Sequence, residues 1–155
     1  MKIVVIGTVG DPRGKAPIKI SIEKSPKTYP DYFELQGVPI ASDKLVKALK
    51  SAGAKINAKP AMLATKKEKI PGYQIFDVKE VPAMDLKESK YSDYKGMVAR
   101  ISKLMLKKVP ANLKMFRLKE KKAVIIVSDD VAKTLKGFSG VVLSPANGWS
   151  DKKRY

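Results

Sequence analysis

The chain has 155 residues, of which 44% are hydrophobic, and no apolar run approaches the roughly 20 residues needed to span a bilayer. Cysteine and histidine are both absent, which excludes disulfides and thiolate chemistry and removes the commonest general base and zinc ligand, so we expect no catalytic residues, no metal, no cofactor and no enzyme activity. The 32 basic and 15 acidic residues give a net charge of +17, which calls for an acidic or polyanionic partner or for a cationic solubilising surface.

Two strands are predicted near the N-terminus. Residues 2–6 (KIVVI) form a β-rich apolar run, and residues 18–24 (IKISIEK) alternate isoleucines with polar residues. Between them, glycines and prolines predict a tight turn. The alternative, a phosphate-binding loop, requires a helix directly after the glycines, and Pro12 and Pro17 bracket a segment without helical periodicity. The first apolar run is shorter than a signal-peptide core of about 7 residues and is therefore interpreted as a strand. The absence of cysteine fits a cytoplasmic protein.

A short amphipathic helix is predicted after an irregular stretch at residues 25–37. Ser42 is its expected N-cap, and Gly53 is expected to end it. The apolar stripe of this helix consists of Leu45, Val46, Ala48, Leu49 and Ala52.

The middle of the chain is predicted to be mainly strands. Short strands are expected at residues 54–57, 60–65 and 72–81, and a loop or single turn at 82–96. Residues 101–109 (ISKLMLKKV) fit either a helix or a strand, and we favour a strand because Pro110 follows.

The last third repeats an earlier pattern. Residues 38–50 and 124–136 are identical at seven of thirteen positions, and in both copies an apolar strand leads to a serine cap and a short helix. Either generic capping rules or an internal duplication explains the match. Residues 140–143 are expected to begin another strand, and the chain ends in a charged tail at residues 150–155. The fold is therefore predicted to be α+β, a single domain over residues 1–155 with mostly antiparallel or mixed sheet and two short amphipathic helices.

The order of these segments resembles the bacterial polymorphic-toxin immunity proteins of the immunity-protein-eleven type. The resemblance covers residues 32–149; residues 1–31 carry no matching motif. Its most specific segments are MFRL at 115–118, VSD at 127–129, GVV at 140–142 and Pro145. The resemblance implies a protein that binds and neutralises a cognate secreted toxin, often a type VI secretion effector, by occluding its active site.

The net charge of the chain indicates the charge expected on the partner's surface. Inhibitors of nuclease toxins tend to be acidic, whereas a chain at +17 would be repelled by a basic toxin surface, so we expect a toxin domain with an acidic face. The alternative function is nucleic-acid binding through phosphate contacts. Only four of the basic residues are arginine and the lysines are scattered, which argues against it.

Six residues are candidates for partner binding. Tyr91 and Tyr94, flanked by Lys90 and Lys95, suit an interface if their loop is exposed, but tyrosines in loops more often pack onto their own domain. The other two candidates are Arg117, which could clamp a partner's carboxylate or pair with an internal acid, and Trp149, which is either an exposed anchor or a lid over the core.

The adjacent aspartates 129 and 130 are better explained by the positive end of a helix dipole than by a metal.

Overall fold

The computed structural model describes residues 2–5, 18–21, 30–35, 38–64 and 69–151. These residues form an α+β fold, as predicted, with two helices and twelve strands. The predicted glycine turn after the first strand and the end of the charged tail lie outside the described residues. The elements are β1 (Lys2–Val5), β2 (Ile18–Ser21), β3 (Tyr32–Leu35), β4 (Val38–Ser42), α1 (Asp43–Ser51), β5 (Ile56–Ala64), β6 (Lys69–Val78), β7 (Glu80–Val81), β8 (Lys90–Tyr94), β9 (Met97–Lys103), β10 (Met115–Leu118), β11 (Val124–Val127), α2 (Asp129–Leu135) and β12 (Leu143–Pro145). Neither helix is long and apolar enough to cross a membrane.

Most of the strands form two five-stranded sheets. The first has the order β12-β1-β11-β10-β7, with β1 antiparallel to both of its neighbours and β7 parallel to β10. The second has the order β2-β5-β6-β4-β3, with β6 antiparallel to both of its neighbours and β2 parallel to β5. Strands β8 and β9 form a separate two-stranded hairpin.

The repeated sequence folds into the same topological unit twice. In the second sheet, β3 and β4 form a hairpin, α1 follows, and β5 returns parallel to β4 with β6 between them. In the first sheet, β10 and β11 form a hairpin, α2 follows, and β12 returns parallel to β11 with β1 between them. Capping rules alone do not require this shared topology, which favours a duplicated unit. The N-terminal strand β1 occupies in one unit the position that β6 occupies in the other.

The two helices contact each other and run in opposite directions. The Lys114 side chain lies beside Gly53, just after α1, and forms an ion pair with Asp130 in the first turn of α2. At the other end of the pair, the Lys44 ammonium in the first turn of α1 lies 5.7 Å from the ring centroid of Phe138, just after α2. The end of each helix therefore lies near the start of the other.

The helix ends follow the predicted signals with one difference. The Ser42 hydroxyl accepts a hydrogen bond from the Leu45 N–H at 3.2 Å, and Gly53 has a φ of +87°, which suits a glycine after a helix. Ser128 is at the N-cap of α2, but its side chain makes no capping hydrogen bond. Its hydroxyl instead donates to the Asp130 carboxylate.

Among the residues that the structure describes, the buried side chains form three clusters. The largest combines both sheets and both helices and includes Leu45, Phe76, Ile125 and Val131. The second, here called the hairpin-side core, lies on the other face of the first sheet and includes Phe116, Ile126, Ile101, Leu104 and Trp149. The third, on the other face of the second sheet, includes Ile40, Leu63 and Ile75. Alternate residues of β11 enter the first two clusters, which explains its uninterrupted apolar sequence.

A group of hydrogen bonds around Asp31 ties the first repeat to the second. The Asp31 carboxylate accepts hydrogen bonds from the Ser139 N–H and hydroxyl, both at 3.1 Å, and from the Ser42 hydroxyl at 2.9 Å. Burial raises the pKa of Asp31, but the hydrogen bonds from Ser139 and Ser42 outweigh it, so the pKa lies below its usual value. The Tyr32 N–H adds a backbone hydrogen bond to the Ser139 carbonyl at 3.1 Å.

Several predicted strands have different bounds in the structure. The two strands expected at 54–57 and 60–65 are the single strand β5, which contains Pro60. Pro60 pairs with Gln74 of β6, and as a proline it donates no N–H to the sheet. The stretch expected to be irregular contains β3, the segment predicted at 72–81 divides into β6 and β7, and the strand expected from residue 140 is Leu143–Pro145.

The prediction for residues 82–109 was wrong in its boundaries. Residues 90–94, expected to be a loop, form β8, and the strand expected at 101–109 begins earlier, at Met97, and ends at Lys103. All five residues of β8 are exposed, so no apolar alternation marks this strand in the sequence. Pairing with β9 makes it a strand.

Candidate functional site

The structure separates the six candidate residues into two groups. Lys90, Tyr91, Tyr94 and Lys95 all lie on the β8–β9 hairpin and are exposed. Arg117 and Trp149 are buried, with exposed fractions of only 2% and 7%. The hairpin is therefore the surface that these candidates define.

The tip of the hairpin is a two-residue turn with unusual backbone geometry. Tyr94 pairs with Met97, which leaves Lys95 and Gly96 as the central residues, with φ values of 50° and 79°. Positive φ at both positions defines a type I′ turn, which matches the twist of the strands and favours asparagine, aspartate or glycine. A lysine in this left-handed region costs roughly 1–2 kcal/mol. Lys95 is the one non-glycine residue with a positive φ among the described residues.

A β-bulge in β9 lets one face of the hairpin pack against the hairpin-side core. Ser92 pairs with Arg100 and Asp93 with Val98, so Ala99 is the extra residue on β9. Because of this extra residue, Val98 and Ile101 both contact the hairpin-side core although they are three positions apart. The Lys121 ammonium donates to the Ala99 carbonyl at 2.7 Å and so holds the bulge from outside.

The edge of β9 that faces away from β8 is fixed to the C-terminal segment. The Leu104 N–H donates to the Trp149 carbonyl, and the Gly148 N–H donates to the Leu104 carbonyl, both at 2.7 Å. Asp151 adds two bonds to Ile101: its carboxylate accepts from the Ile101 N–H at 2.9 Å, and its own N–H donates to the Ile101 carbonyl at 3.1 Å. These bonds give the hairpin a rigid base, so its outer surface is preorganised before any partner arrives.

The exposed surface of the hairpin combines large side chains with positive charge. Tyr94 and Met97 have exposed fractions of 65% and 70%, the largest among the exposed large hydrophobic residues, and Tyr91 has 37%. Tyrosine and methionine are enriched in protein interfaces. Residues 90–103 carry four basic side chains and one acidic one. This surface, consisting of Lys90, Tyr91, Tyr94, Lys95, Met97 and Arg100, is called the hairpin surface below.

The sequence-based candidates did not include Met97 and Arg100. The sequence signal for them was incomplete: Gly96 suits the second central position of a two-residue hairpin turn, but Lys95 is not a residue that favours the first. Because residues 82–96 were predicted to be a loop, the start of β9 at Met97 was not predicted.

Arg117 has internal partners. One guanidinium nitrogen lies 3.1 Å from the Asp77 carboxylate, and the other donates to the Lys122 carbonyl. Lys122 in turn forms an ion pair with Glu80 at 3.2 Å. The guanidinium therefore joins β10 to the β6–β7 corner. Of the two roles considered for Arg117, the structure favours the internal ion pair.

Trp149 has an internal role as well. Its ring packs in the hairpin-side core and its carbonyl holds β9. Of the two alternatives for Trp149, an exposed anchor or a lid over the core, the structure favours the lid. The tryptophan also supports the hairpin surface from below.

The adjacent aspartates at the start of α2 are held by neighbouring side chains. Hydrogen bonds from Lys114 and then Ser128 hold the pKa of Asp130 well below its usual range. Among the residues that the structure describes, no group of three or more acidic, histidine or cysteine side chains could hold a metal ion. The position of the pair in the first turn of a helix agrees with the dipole interpretation.

No protein-family model matches the chain. No curated protein matches it significantly. The resemblance to immunity proteins therefore stays a prediction from the sequence.

Proposed function

We propose that this protein is an immunity protein, which binds a cognate secreted bacterial toxin in the cytoplasm of the producing cell and occludes its active site through the hairpin surface. The observation that carries the proposal is the exposed tip formed by Tyr94 and Met97 on a hairpin whose base is fixed to the core. Large exposed side chains on a rigid support are what a binding surface requires. The resemblance over residues 32–149 supports the same function.

The energetics of such a complex set its expected form. A stable interface buries about 800 Å² on each partner, and a few aromatic or arginine residues contribute most of the affinity. Tyr91, Tyr94 and Arg100 are residues of this kind on the hairpin surface. The net charge of +17 would speed association with an acidic toxin in a salt-dependent way.

The proposal predicts that a large secreted protein is encoded beside this chain, and the C-terminal domain of that protein is the partner to test. Co-expression should restore growth of cells that produce the toxin domain, and the two proteins should purify together as one complex. The absence of both effects would refute the proposed function.

Nucleic-acid binding is the alternative, and one feature favours it. Five exposed lysines lie on the antiparallel helix pair: Lys44, Lys47, Lys50, Lys133 and Lys136. A phosphate binder loses affinity for any duplex as salt rises, and the slope against log salt counts its phosphate contacts. An immunity protein should show no duplex binding at physiological salt, so a titration with random-sequence duplex DNA separates the two functions.

A further inference from the structure

We propose that the hairpin tip is a plug, in which Tyr94, Lys95 and Met97 enter a concave, carboxylate-lined cleft of the toxin and the Lys95 ammonium binds a carboxylate there. This inference rests on the proposed function, and it specifies the contact and the chemistry of the partner.

The first argument is the backbone at Lys95. This residue has a φ of 50°, where asparagine or glycine would form the same turn with less strain. The lysine is therefore not explained by turn formation. Its ammonium lies 5.3 Å from the Tyr94 ring centroid, but such a contact is weak at an exposed site and does not require a strained residue. A strained residue at the apex of an exposed element indicates a functional role for its side chain.

The second argument is shape. Two paired strands are only about 5 Å apart, so the end of a hairpin is a narrow convex projection. Tyr94 and Met97 face each other across the turn and are both largely exposed. A flat partner would touch only one edge of this projection, whereas a concave cleft would bury both side chains and the turn between them.

The third argument is charge. Lys95 is at the apex, and the hairpin also carries Lys90, Arg100 and Lys103 against the single acid Asp93. An ammonium taken out of water must be paired, because an unpaired buried charge is strongly unfavourable. The cleft that receives Lys95 must therefore supply a carboxylate.

This requirement also restricts the toxin. A cleft lined mainly by basic side chains would repel the tip. Carboxylates in an active-site cleft serve acid–base chemistry or hold a cation. The partner is therefore a toxin of this second kind, with carboxylates in its cleft.

The inference is tested by the affinity of Lys95 variants for the purified toxin domain. Lys95→Asn removes the charge but suits the turn, so the free protein should melt at the same temperature as wild type or higher, while the affinity should fall by about 10-fold or more. Lys95→Glu should weaken binding further, and most strongly at low salt. Lys95→Arg keeps the charge and the strain and should bind within about 3-fold of wild type.

Lys119→Asn is the matched control. Lys119 is an exposed lysine in the turn after β10, and its substitution changes the net charge as Lys95→Asn does. Its affinity should stay within about 3-fold of wild type, because a charge outside the contact acts only by steering.

A second measurement detects the carboxylate itself. A water-soluble carbodiimide activates a carboxylate, and the deprotonated amine of a lysine in contact with it then forms an amide and releases the carbodiimide as a urea. Treatment of the wild-type complex should give a cross-linked peptide that contains Lys95, and the Lys95→Arg complex should lack this peptide.

The outcomes separate the two proposals. If wild type forms no complex with the toxin domain, the proposed function fails and the plug with it. If a complex forms but Lys95→Asn and Lys95→Glu bind as tightly as wild type, or no cross-link includes Lys95, the plug alone is refuted.

Discussion

Replacement of Gly140 by alanine should destabilise the protein strongly. An added Cβ would lie 1.9 Å from the Tyr32 carbonyl oxygen and 3.1 Å from the Pro30 Cβ, and φ at Gly140 is +82°. The left-handed backbone alone costs alanine roughly 1–2 kcal/mol. Relief of the clash must move the neighbouring Ser139, whose N–H binds the Asp31 carboxylate and whose carbonyl accepts from the Tyr32 N–H.

The expected magnitude follows from these contacts. Loss of the backbone bond costs about 0.5–1.5 kcal/mol and loss of the bond to the carboxylate about 1.5–3 kcal/mol. With the backbone strain, the free energy of unfolding should fall by about 3–6 kcal/mol, which is a large fraction of the 5–15 kcal/mol typical of a folded protein. For a chain of this size the melting temperature should drop by about 6–24 °C.

Urea unfolding followed by circular dichroism measures this change, and Gly137→Ala is the control. Gly137 lies in the same connection, but an added Cβ there meets no atom within 4 Å. Its substitution should change the free energy of unfolding by less than about 1 kcal/mol. If the two variants differ by less than about 1 kcal/mol, the close approach of the two repeats at Tyr32 is wrong.

Three further predictions concern stability and binding. Asp31→Asn should lower the free energy of unfolding by about 1–3 kcal/mol at pH 7. Because the pKa of the Asp31 carboxyl is lowered in the folded state, this loss should be complete above the ordinary pKa of 3.8 and should shrink as pH falls below it. Unfolding of both proteins at pH 7 and pH 3 measures this. Arg117→Ala should cost about 1–3 kcal/mol, because it removes the hydrogen bonds of a buried guanidinium while the Asp77 carboxylate stays partly exposed to water. Arg100→Ala, at an exposed side chain, should change the free energy of unfolding by at most about 0.5 kcal/mol. Equal melting temperatures would contradict the internal role of Arg117. Tyr94→Ala should leave stability within about 0.5 kcal/mol of wild type but weaken toxin binding by 1 kcal/mol or more, as calorimetry would show; an unchanged affinity would remove the tyrosine from the interface.

The helices and the central strands could be predicted because burial leaves a periodic trace in sequence. The stripe of Leu45, Val46 and Leu49 marks one face of α1, and the uninterrupted apolar run of β11 marks a strand with both faces covered. Strand β8 leaves no such trace, since each of its side chains is exposed and its partner lies beyond a turn. Strand order was not predictable either, because β1 pairs with residues more than a hundred positions away.

The candidate site was predicted in part. Tyrosines flanked by lysines indicated the exposed segment. The same reasoning could not distinguish the exposed Tyr94 from the buried Arg117 and Trp149, because the type of a residue and its sequence neighbours do not determine its burial. The positive φ at Lys95 was not predictable, because lysine is rarely found in type I′ turns and the residue type alone does not indicate a strained backbone.

The place of β1 has a consequence for biosynthesis. Strand β1 is synthesised well before its partners Val124–Val127 and Leu143–Pro145, which lie more than a hundred residues further along the chain. At about 5–20 residues per second, roughly 6–24 s separate the synthesis of Val5 from that of its partner Val124. During this interval all strands of the unit formed by β3, β4, α1, β5 and β6 are synthesised, so this unit can begin to form. The other unit cannot be completed until β11 and β12 have been made and pair with β1 on either side.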